Sequence, residues 1–488
     1  MKTVAVIGAG LAGLSAACHL AGRGHRVVVL ERAAGPGGLA GRRERAGYRF
    51  DLGPTVLTVP EILAGTVAAT GLDLADVLTL RRLDPAYRAC FADGSELRLR
   101  ARREDMAAEI GAACGPAEEA AYHRFTRWLT ELYALEMPHF IARDYGSPLD
   151  LLHPPGPAWR LLRLGGLRSL HAAVSGFFAD ERLVRLFTFQ ALYAGVAPTR
   201  ARAILAAITY MDTVGGVYHP AGGMHAVPAA LAAAATKAGA EFGYGAEVTG
   251  IVRTAGGRAA GVRLAGGGTV AADAVVCTAD PATAYRDLLE LPPPRRVRQG
   301  VYAPSALLWH AGVRGDPPPG AAHHNLHFGA AWRGAFDDLL RAGRPMADPS
   351  RLVTVPTVTD PGLAPAGGTV IYGLEPVPNL VAGRVDWPAE RGRLRDRLVA
   401  ALARDGYPTD QVEVEELVDP TDWAAAGLPA GTPFSHAHRF RQTGPFRART
   451  HDRRVPGLVF AGAGTVPGVG VPVVLLSGRL AADRVEAL

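Results

Sequence analysis

The feature that most constrains this sequence is a glycine pattern between its first two apolar runs. Residues 4–7 are apolar, Gly8, Gly10 and Gly13 follow, and the second run ends in Glu31. This spacing is typical of a dinucleotide site, because the glycines allow a tight turn, close approach to a pyrophosphate and close helix packing. We therefore expect a strand, a turn and a helix whose N-terminus faces phosphates, with Glu31 accepting hydrogen bonds from a ribose.

A secretory signal is the alternative interpretation of the same segment. It starts with Met1 and Lys2, and many apolar and small residues follow. The three glycines would interrupt the apolar part of a signal, and the second run with its terminal acid would have no role. We therefore expect the chain to begin in its first strand and to stay inside the cell.

Length and composition exclude several protein classes. With 488 residues the chain exceeds what one core organises, which predicts two or three domains. No apolar run reaches the length of about 18 residues that crosses a bilayer, so we expect a soluble or membrane-surface protein. The net charge of +6 comes almost wholly from arginine, since Lys2 and Lys237 are the only lysines. No basic cluster is interleaved with aromatic residues, so nucleic-acid binding is not expected.

The cysteines and acids suggest no catalytic constellation. The four cysteines are widely spaced and form no CxxC pair, which is typical of reduced thiols in a cytoplasm and argues against a metal site. We also find no Ser/His/Asp arrangement and no paired carboxylates. The sequence therefore predicts no metal and names no catalytic residue.

Two further segments near the N-terminus are candidates for ligand contact. Residues 35–42 are rich in glycine, and Arg42 and Arg43 would bring guanidinium groups to a pyrophosphate. The alternative is a surface loop with solvated arginines. Residues 48–55 alternate like a strand and stop at Gly53 and Pro54, which exposes backbone groups at a sheet end.

The pattern of apolar residues predicts a hairpin and a helical region in the middle of the chain. Residues 89–99 predict a hairpin around Asp93 and Gly94, and residues 115–215 are mostly helical. One amphipathic helix is expected there, although two glycines weaken it. Its apolar face would lie either in a lipid surface or against a protein core. Its apolar face would hold Trp159, Leu162, Leu170, Ala173 and Phe177, and its basic face Arg160, Arg163, Arg168 and His171.

The second half of the chain predicts strands that return to the nucleotide site. Three strands are expected at 248–252, 259–264 and 269–277, with the backbone of Val248 meeting an adenine. Residues 291–430 predict a second α+β domain with an arginine-rich helix at 390–404.

The C-terminus repeats the arrangement of strand, glycine turn and helix. Residues 457–465 form a strand entering glycines, a glycine and proline turn follows, and a helix is expected at 473–485. A helix N-terminus after such a turn favours an anionic or electron-rich ligand. Two such sites at opposite chain ends suit one long cofactor, so FAD fits better than NAD.

With these motifs the chain resembles the bacterial-type phytoene desaturase family, the carotenoid desaturases within the FAD-dependent amine oxidase superfamily. The resemblance runs nearly end to end and includes the N-terminal glycine pattern with Glu31 and the segments 36–38, 50–55, 220–224, 284–289 and 462–472. It implies an α/β fold: a Rossmann-like FAD-binding domain assembled from discontinuous segments, an α+β substrate domain and a helical membrane-facing subdomain. The implied boundaries are 1–75, 220–290 and 431–488 for the first, 76–114 and 291–430 for the second, and 115–219 for the third.

The resemblance also implies an extended FAD. Its ADP part would lie at the N-terminal glycines and its isoalloxazine near residues 53–55 and 468–472. The implied cofactor-binding residues are Gly8, Ala9, Gly10, Leu11, Ala12, Gly13, Glu31, Arg32, Gly38, Leu39, Arg42, Gly53, Pro54, Thr55, Val248, Gly462, Gly464, Gly470, Val471 and Pro472.

The chain departs from the family pattern at two places. Many relatives carry an arginine where this chain has Leu39, so its phosphate contact passes to Arg42. A suggested aspartate and arginine pair near the substrate channel has its nearest counterpart in Asp150 and His153. We assign no acid or base role to that pair.

The implied activity is desaturation of a C40 or C30 polyene, foremost phytoene, by hydride transfer to flavin with loss of a proton. A carotenoid 3,4-desaturase, a ketolase or an isomerase of the same fold stays open, as does a non-enzymatic prenyl-binding protein resembling the GDP-dissociation inhibitors. The expected acceptor is oxygen or a membrane quinone, because no second nucleotide motif is found. The expected location is cytoplasmic, peripheral at the inner face of the cell membrane.

Overall fold

The computed structural model describes residues 1–488 and contains twenty strands. They are β1 (Thr3–Ile7), β2 (Arg26–Glu31), β3 (Arg42–Arg45), β4 (Tyr48–Asp51), β5 (Leu57–Thr58), β6 (Leu80–Arg82), β7 (Tyr87–Cys90), β8 (Glu96–Leu99), β9 (Val217–Pro220), β10 (Glu241–Tyr244), β11 (Val248–Arg253), β12 (Ala259–Leu264), β13 (Thr269–Ala271), β14 (Ala274–Cys277), β15 (Ser305–Arg314), β16 (His324–His327), β17 (Arg351–Thr354), β18 (Gly368–Val377), β19 (Val412–Val418) and β20 (Leu458–Phe460).

The α-helices cover the sheets and form one separate helical region. They are α1 (Leu11–Gly22), α2 (Pro60–Ala68), α3 (Leu74–Val77), α4 (Arg103–Cys114), α5 (Pro116–Glu136), α6 (Pro155–Arg163), α7 (Leu170–Val174), α8 (Glu181–Leu186), α9 (Ala206–Tyr210), α10 (Ala226–Lys237), α11 (Pro281–Thr283), α12 (Arg295–Arg298), α13 (Trp332–Asp337), α14 (Trp387–Arg404), α15 (Pro420–Ala425) and α16 (Val471–Glu486).

A parallel sheet joins the two ends of the chain. Its strand order is β10-β2-β1-β14-β20, and β1 pairs with both β2 and β14. Alternate residues of β1 face opposite sides, as a strand requires. Val4 and Val6 pack on α1, α10 and α16, whereas Ala5 and Ile7 pack toward the small antiparallel sheet β11-β12-β13. Both faces are therefore covered, as is usual for a parallel sheet.

A second sheet of seven strands has the order β19-β15-β18-β17-β16-β7-β8. Its pairs are antiparallel except for β16 with β7. One face packs on α14, where Leu394, Leu398 and Leu402 cover Trp309 and Ile371. These leucines recur at every fourth position, so they form one stripe of the helix.

The helical region packs against the edge of this second sheet. Phe125 of α5 contacts the rings of Phe177, Phe178 and Phe187 at centroid distances between 4.8 and 5.5 Å. The same core includes Tyr87 and Leu97 of the β7-β8 hairpin. Burial of these side chains fixes the helices relative to the sheet, since each large apolar side chain contributes about 1.5–3 kcal/mol.

The structure confirms most of the predicted elements. The hairpin forms between β7 and β8, residues 115–215 are mostly helical, and the arginine-rich helix is α14. The predicted strand 269–277 is wrong, because it divides into β13 and β14, which belong to different sheets. The last helix begins at Val471, two residues earlier than predicted, directly after Gly470 with its φ of +127°.

The predicted amphipathic helix is also wrong as a single helix. Gly165 adopts a φ of +75°, which ends α6 and separates it from α7. Trp159 and Leu162 of α6 are 68% and 49% exposed, whereas Leu170 and Ala173 of α7 are buried in the helical core. The two interpretations of this face therefore divide between the two helices: α7 faces the core and α6 faces outward.

Candidate active site

One cavity of about 1610 Å³ lies between the parallel sheet and the seven-stranded sheet. Ordinary ligand pockets measure roughly 300–1,000 Å³, so this cavity has room for a cofactor and a substrate together. All the predicted cofactor residues line it except Ala9 and Gly13. Ala9 and Gly13 instead shape the turn beneath the cavity.

The N-terminal glycines have three separate structural roles. Gly8 has a φ of +97°, which favours glycine, and a Cβ on Gly13 would lie 2.0 Å from the Gly8 carbonyl oxygen. A Cβ on Gly10 would meet no atom closer than 3.9 Å, although α1 begins directly after it. The space beside Gly10 is thus open to the cavity, and no side chain caps the helix N-terminus.

Glu31 is tied to the glycine turn by two hydrogen bonds. The Ala9 N–H donates to Oε2 and the Ala33 N–H donates to Oε1, both at 2.8 Å. Sequence analysis predicted a ribose contact for Glu31 and missed these bonds. Each carboxylate oxygen can accept a further hydrogen bond, so a contact with a ribose is compatible with them.

The two consecutive arginines have different surroundings. Arg42 lines the cavity, and its side chain forms no ion pair or hydrogen bond within the protein. Arg43 pairs with Glu416 and lies outside the cavity, so its predicted position near a pyrophosphate is wrong. The reason is that both residues belong to β3, where successive side chains point to opposite faces.

The second sheet holds the segment of residues 53–55 in place. The Tyr372 hydroxyl donates to the Gly53 carbonyl at 2.8 Å, and His324 Nε2 donates to the Thr55 carbonyl at 3.0 Å. Both donors are buried. This segment is therefore rigidly placed at the junction of the two sheets.

The C-terminal turn is held as firmly. The Gly462 N–H donates to Ser477 Oγ at 2.8 Å, and a Cβ on Gly464 would lie 2.3 Å from Pro281 Cδ. The positive φ of Gly470 turns the chain into α16, whose N-terminus opens on the cavity. Two helix N-termini, those of α1 and α16, thus border the same cavity.

Arg447 organises this turn, and sequence analysis did not single it out. Its buried guanidinium donates to the carbonyls of Ala463, Thr465 and His436 at 2.6, 2.9 and 3.0 Å. Burial lowers its pKa to about 10. The residue lies in an irregular segment without periodicity, so no pattern distinguished it from the many exposed arginines.

Away from the glycines the cavity is apolar and reaches the surface. Residues of the helical region and the second sheet line this part, among them Ile141, Leu161, Leu192, Ile204, Ile208, Met211, Leu308, Leu352 and Leu374. At the surface the lining includes Leu152, Leu162, Leu167 and Phe440, which are between 40% and 56% exposed. We call these four residues, with Trp159, the mouth.

Two buried acids line the apolar part, and neither was predicted. The Tyr87 hydroxyl donates to Asp212 Oδ2 at 3.4 Å, and burial raises the pKa of Asp212 to about 7. Glu136 has no hydrogen-bond partner for Oε1, and burial raises its pKa well above the ordinary value. No charged partner compensates either carboxyl.

Asp150 and His153, the counterpart of the suggested aspartate and arginine pair, lie outside the cavity. Asp150 accepts hydrogen bonds from the N–H groups of Gly146 and Ser147 at 2.8 and 3.0 Å. His153 is exposed, and neither residue lines the cavity. Asp150 therefore acts as a cap of a short helical turn.

The comparisons with known proteins show the family of the chain. Residues 11–486 match the family model described as flavin containing amine oxidoreductase. The chain is 49% identical to a phytoene dehydrogenase of Streptomyces griseus, over 99% of this chain and 94% of the relative. The chain belongs to the bacterial carotenoid desaturases of this flavoprotein family.

A second desaturase relative and a solved structure of similar fold extend the comparison. A zeta-carotene-forming phytoene desaturase of Myxococcus xanthus is 38% identical over 99% of this chain and 93% of its own length. An oxidoreductase of Methanosarcina mazei has a similar solved structure, with a TM-score of 0.64, 17% identity and coverage of 99% and 100% of the two chains. The chain has the α/β fold of the flavin amine oxidoreductases and is an oxidoreductase that uses flavin. None of its helices has the length and hydropathy to span a bilayer.

Proposed function

We propose that this chain binds FAD and desaturates a carotenoid precursor, with phytoene as its substrate. The observation that carries the proposal is one continuous cavity with a glycine-rich end and an apolar end open at the mouth. Relatives named as phytoene desaturases form different products: zeta-carotene, neurosporene or lycopene. The expression experiment below counts the double bonds that this chain introduces.

The glycine-rich end fits the proposed FAD. The open space beside Gly10 and the N-terminus of α1 would take the pyrophosphate, with Arg42 as the available guanidinium. Glu31 would bind the ribose and the backbone at Val248 the adenine. Residues 53–55 and the N-terminus of α16 would hold the isoalloxazine. All the cofactor residues of the sequence analysis belong to this proposal, as do its domain boundaries.

Flavin, when bound, accepts a hydride from an allylic carbon of the substrate. The residues of the apolar end align the polyene and exclude water, which prevents competing reactions. Their lining of aliphatic side chains favours a hydrocarbon, since a charged amine buried there would pay a large desolvation cost.

We further propose that the protein lies at the inner face of the cell membrane and takes its substrate through the mouth. The mouth exposes large apolar side chains, and Arg163 and Arg168 beside it are exposed cations. Such a surface binds anionic lipid interfaces. Oxygen or a membrane quinone is the proposed electron acceptor. Strict dependence of turnover on NAD(P) would contradict this acceptor.

The deciding experiment is expression in a bacterium that accumulates phytoene, followed by chromatography of the pigments with absorbance spectra. We expect coloured polyenes that are absent when a Gly10→Val variant is expressed, and their band positions count the double bonds added. Unchanged phytoene beside a folded, flavin-loaded protein would contradict the proposal. Such a result would direct attention to later carotenoid steps.

A further inference from the structure

Desaturation removes a proton as well as a hydride, and the proposed function leaves that proton without an acceptor. The polyene would lie in an apolar cavity from which water is excluded, so a group of the lining has to take it. Several acids of the lining are already engaged: Glu31 with the glycine turn, Asp280 with Ser435 and the N-terminus of α11, and Asp287 with Arg286. Among the other groups of the lining, Glu136, Asp212 and His438 are candidate proton acceptors.

Asp212 is linked through two buried side chains to the segment that would hold the flavin ring. Its carboxyl accepts a hydrogen bond from Tyr87, whose ring lies 5.3 Å from that of His324. His324 in turn donates to the Thr55 carbonyl. Two side chains thus connect Asp212 to the 53–55 segment, where the reacting carbons would meet the flavin.

The carboxyl of Asp212 is buried, yet it is only partly engaged. The 3.4 Å bond from Tyr87 is long, and no other hydrogen bond reaches Asp212. The Tyr193 hydroxyl, which also lines the cavity, is buried and forms no hydrogen bond of ordinary geometry. Buried polar groups are nearly always satisfied, and an exception calls for a functional explanation.

We propose that Asp212 accepts the proton that the polyene loses when the new double bond forms. This inference rests on the function proposed above. One C–H bond gives its electron pair to the flavin as a hydride. The neighbouring C–H bond leaves its pair between the two carbons, and its proton passes to a carboxylate oxygen of Asp212. The later reoxidation by oxygen or a quinone consumes the hydride and this proton together.

The other two candidates are less suited to this step. Burial keeps the pKa of Glu136 well above its ordinary value, so that carboxyl already holds a proton. Burial keeps the pKa of His438 well below its ordinary value, so that ring resists taking one. The pKa of Asp212, about 7, lies between these extremes, and a general base works best near the operating pH.

No charged group of the surrounding elements competes for Asp212. Tyr87 of β7 is the titratable group bonded to it. Tyr193 also faces Asp212 and Tyr87, and it is neutral because burial keeps its pKa well above the ordinary value. Other ionisable groups nearby are engaged elsewhere: Tyr210 stacks on Tyr133 at 4.1 Å, Tyr218 packs on the core of the parallel sheet, His219 lies 3.7 Å from Asp360, and Arg82 donates to the Ala101 carbonyl.

The test is an anaerobic single turnover with phytoene in anionic lipid vesicles. It compares the wild type with Asp212→Asn and Asp212→Glu. The first readout is the rate at which flavin absorbance bleaches. The second is the infrared difference spectrum, in which a newly protonated carboxyl gives a band. Reduction by dithionite, which supplies no substrate proton, is the matched control for this band.

We expect the wild type to gain the carboxyl band with phytoene and not with dithionite. Asp212→Asn should lack the band and bleach at least about 100-fold more slowly, the usual contribution of a general base. Asp212→Glu should recover the band and part of the rate. The wild-type rate should fall as the pH drops below about 7, and the Asn variant should lose this dependence.

If the flavin of Asp212→Asn bleaches as fast as that of the wild type, the inference is overturned and the proposed function is left intact. The same holds if the band forms with dithionite as well, or if Glu136→Gln abolishes the reaction instead. A wild type that phytoene does not bleach would overturn the proposed function, and the inference with it. Bound FAD, measured by absorbance in each variant, shows that the variant has folded.

Discussion

Gly10 is the residue at which an added side chain would enter the space proposed for the cofactor and meet little of the protein. Its φ of −77° suits any residue, and an added Cβ has no neighbour within 3.9 Å. Gly13 differs, because a Cβ there would strike the backbone of Gly8. A substitution at Gly10 therefore tests cofactor binding, whereas a substitution at Gly13 tests folding.

We expect Gly10→Val to fold and to retain no FAD, because its side chain would fill the space proposed for the pyrophosphate. Bound flavin after purification is measured by absorbance, and folding by circular dichroism. Gly65→Val is the matched control, since a Cβ at Gly65 also meets nothing within 4 Å and Gly65 does not line the cavity. Full flavin occupancy in Gly10→Val would refute the assignment.

Arg447 is a buried cation that donates hydrogen bonds to four carbonyls. Arg447→Met keeps most of the side-chain length but leaves those carbonyls unpaired. We expect a loss of about 3–5 kcal/mol in the free energy of unfolding, together with weaker FAD retention, because the turn at 462–472 loosens. Urea denaturation and flavin content measure the two effects. Arg439→Met, at an exposed arginine, should change neither.

Asp212 should also make the stability pH dependent. Its pKa is 3.8 in the unfolded chain and about 7 in the folded protein. As the pH rises between these values the unfolded chain releases the proton first, so the free energy of unfolding falls. Asp212→Asn should therefore gain about 3 kcal/mol relative to the wild type between pH 5 and pH 8. Parallel urea denaturation curves of both proteins at the two pH values would show whether the gap opens.

At the scale of elements, α6 is the helix for which the structure differs most from the prediction. It is short, its apolar side faces outward, and it leads to the mouth. Arg160 forms an ion pair with Glu131 at 2.8 Å, so part of its basic side is neutralised within the protein. Its apolar side chains are therefore expected to contribute more to membrane binding than its charges.

We expect Trp159→Ser with Leu162→Ser to lower the binding to anionic vesicles at least about tenfold, since each side chain contributes about 1.5–3 kcal/mol when buried. Vesicle sedimentation measures the bound fraction. Val358→Ser with Val381→Ser is the matched control, because these exposed valines lie away from the cavity. Equal vesicle binding by both double variants would show that α6 does not contribute to membrane binding.

Replacing Arg160, Arg163 and Arg168 by glutamate tests the electrostatic part separately. The triple variant should bind anionic vesicles more weakly than the wild type and neutral vesicles equally well, because only anionic headgroups attract the guanidinium groups. The comparison uses the same sedimentation assay at low and high salt. A loss of equal size on both vesicle types would indicate a damaged fold.

At the scale of the whole molecule, the cavity joins parts of the chain that are hundreds of residues apart. The N-terminal glycines, the 53–55 segment and the turn before α16 line the same space. A cofactor that contacts all of them stabilises the folded state without stabilising the unfolded one. Cofactor binding and global stability are therefore linked.

FAD at 100 times its Kd should add about 2.7 kcal/mol to the free energy of unfolding of apoprotein. A thermal melt of apoprotein with FAD should show an upward shift of Tm, and NAD at the same concentration should produce none. An equal shift with NAD would contradict the choice of FAD. FMN, which lacks the ADP part, should stabilise less than FAD.

Local motifs determined much of this protein from the sequence alone. The glycine pattern, Glu31 and the C-terminal turn predicted the parallel sheet and the flavoprotein family, because such turns need particular residues at neighbouring positions. That one cofactor spans both chain ends stays a prediction. The hairpin at 89–99 and helix α14 followed for the same reason, since their patterns repeat over a few residues.

Only the tertiary structure decided what depends on distant residues. It turned Arg43 away toward Glu416, buried Arg447 under the C-terminal turn and separated α6 from α7. It also brought Asp212 beside Tyr87, a residue 125 positions away in the chain. No local pattern records such contacts, because burial and hydrogen bonding between distant segments exist only once the two sheets and the helical region have packed together.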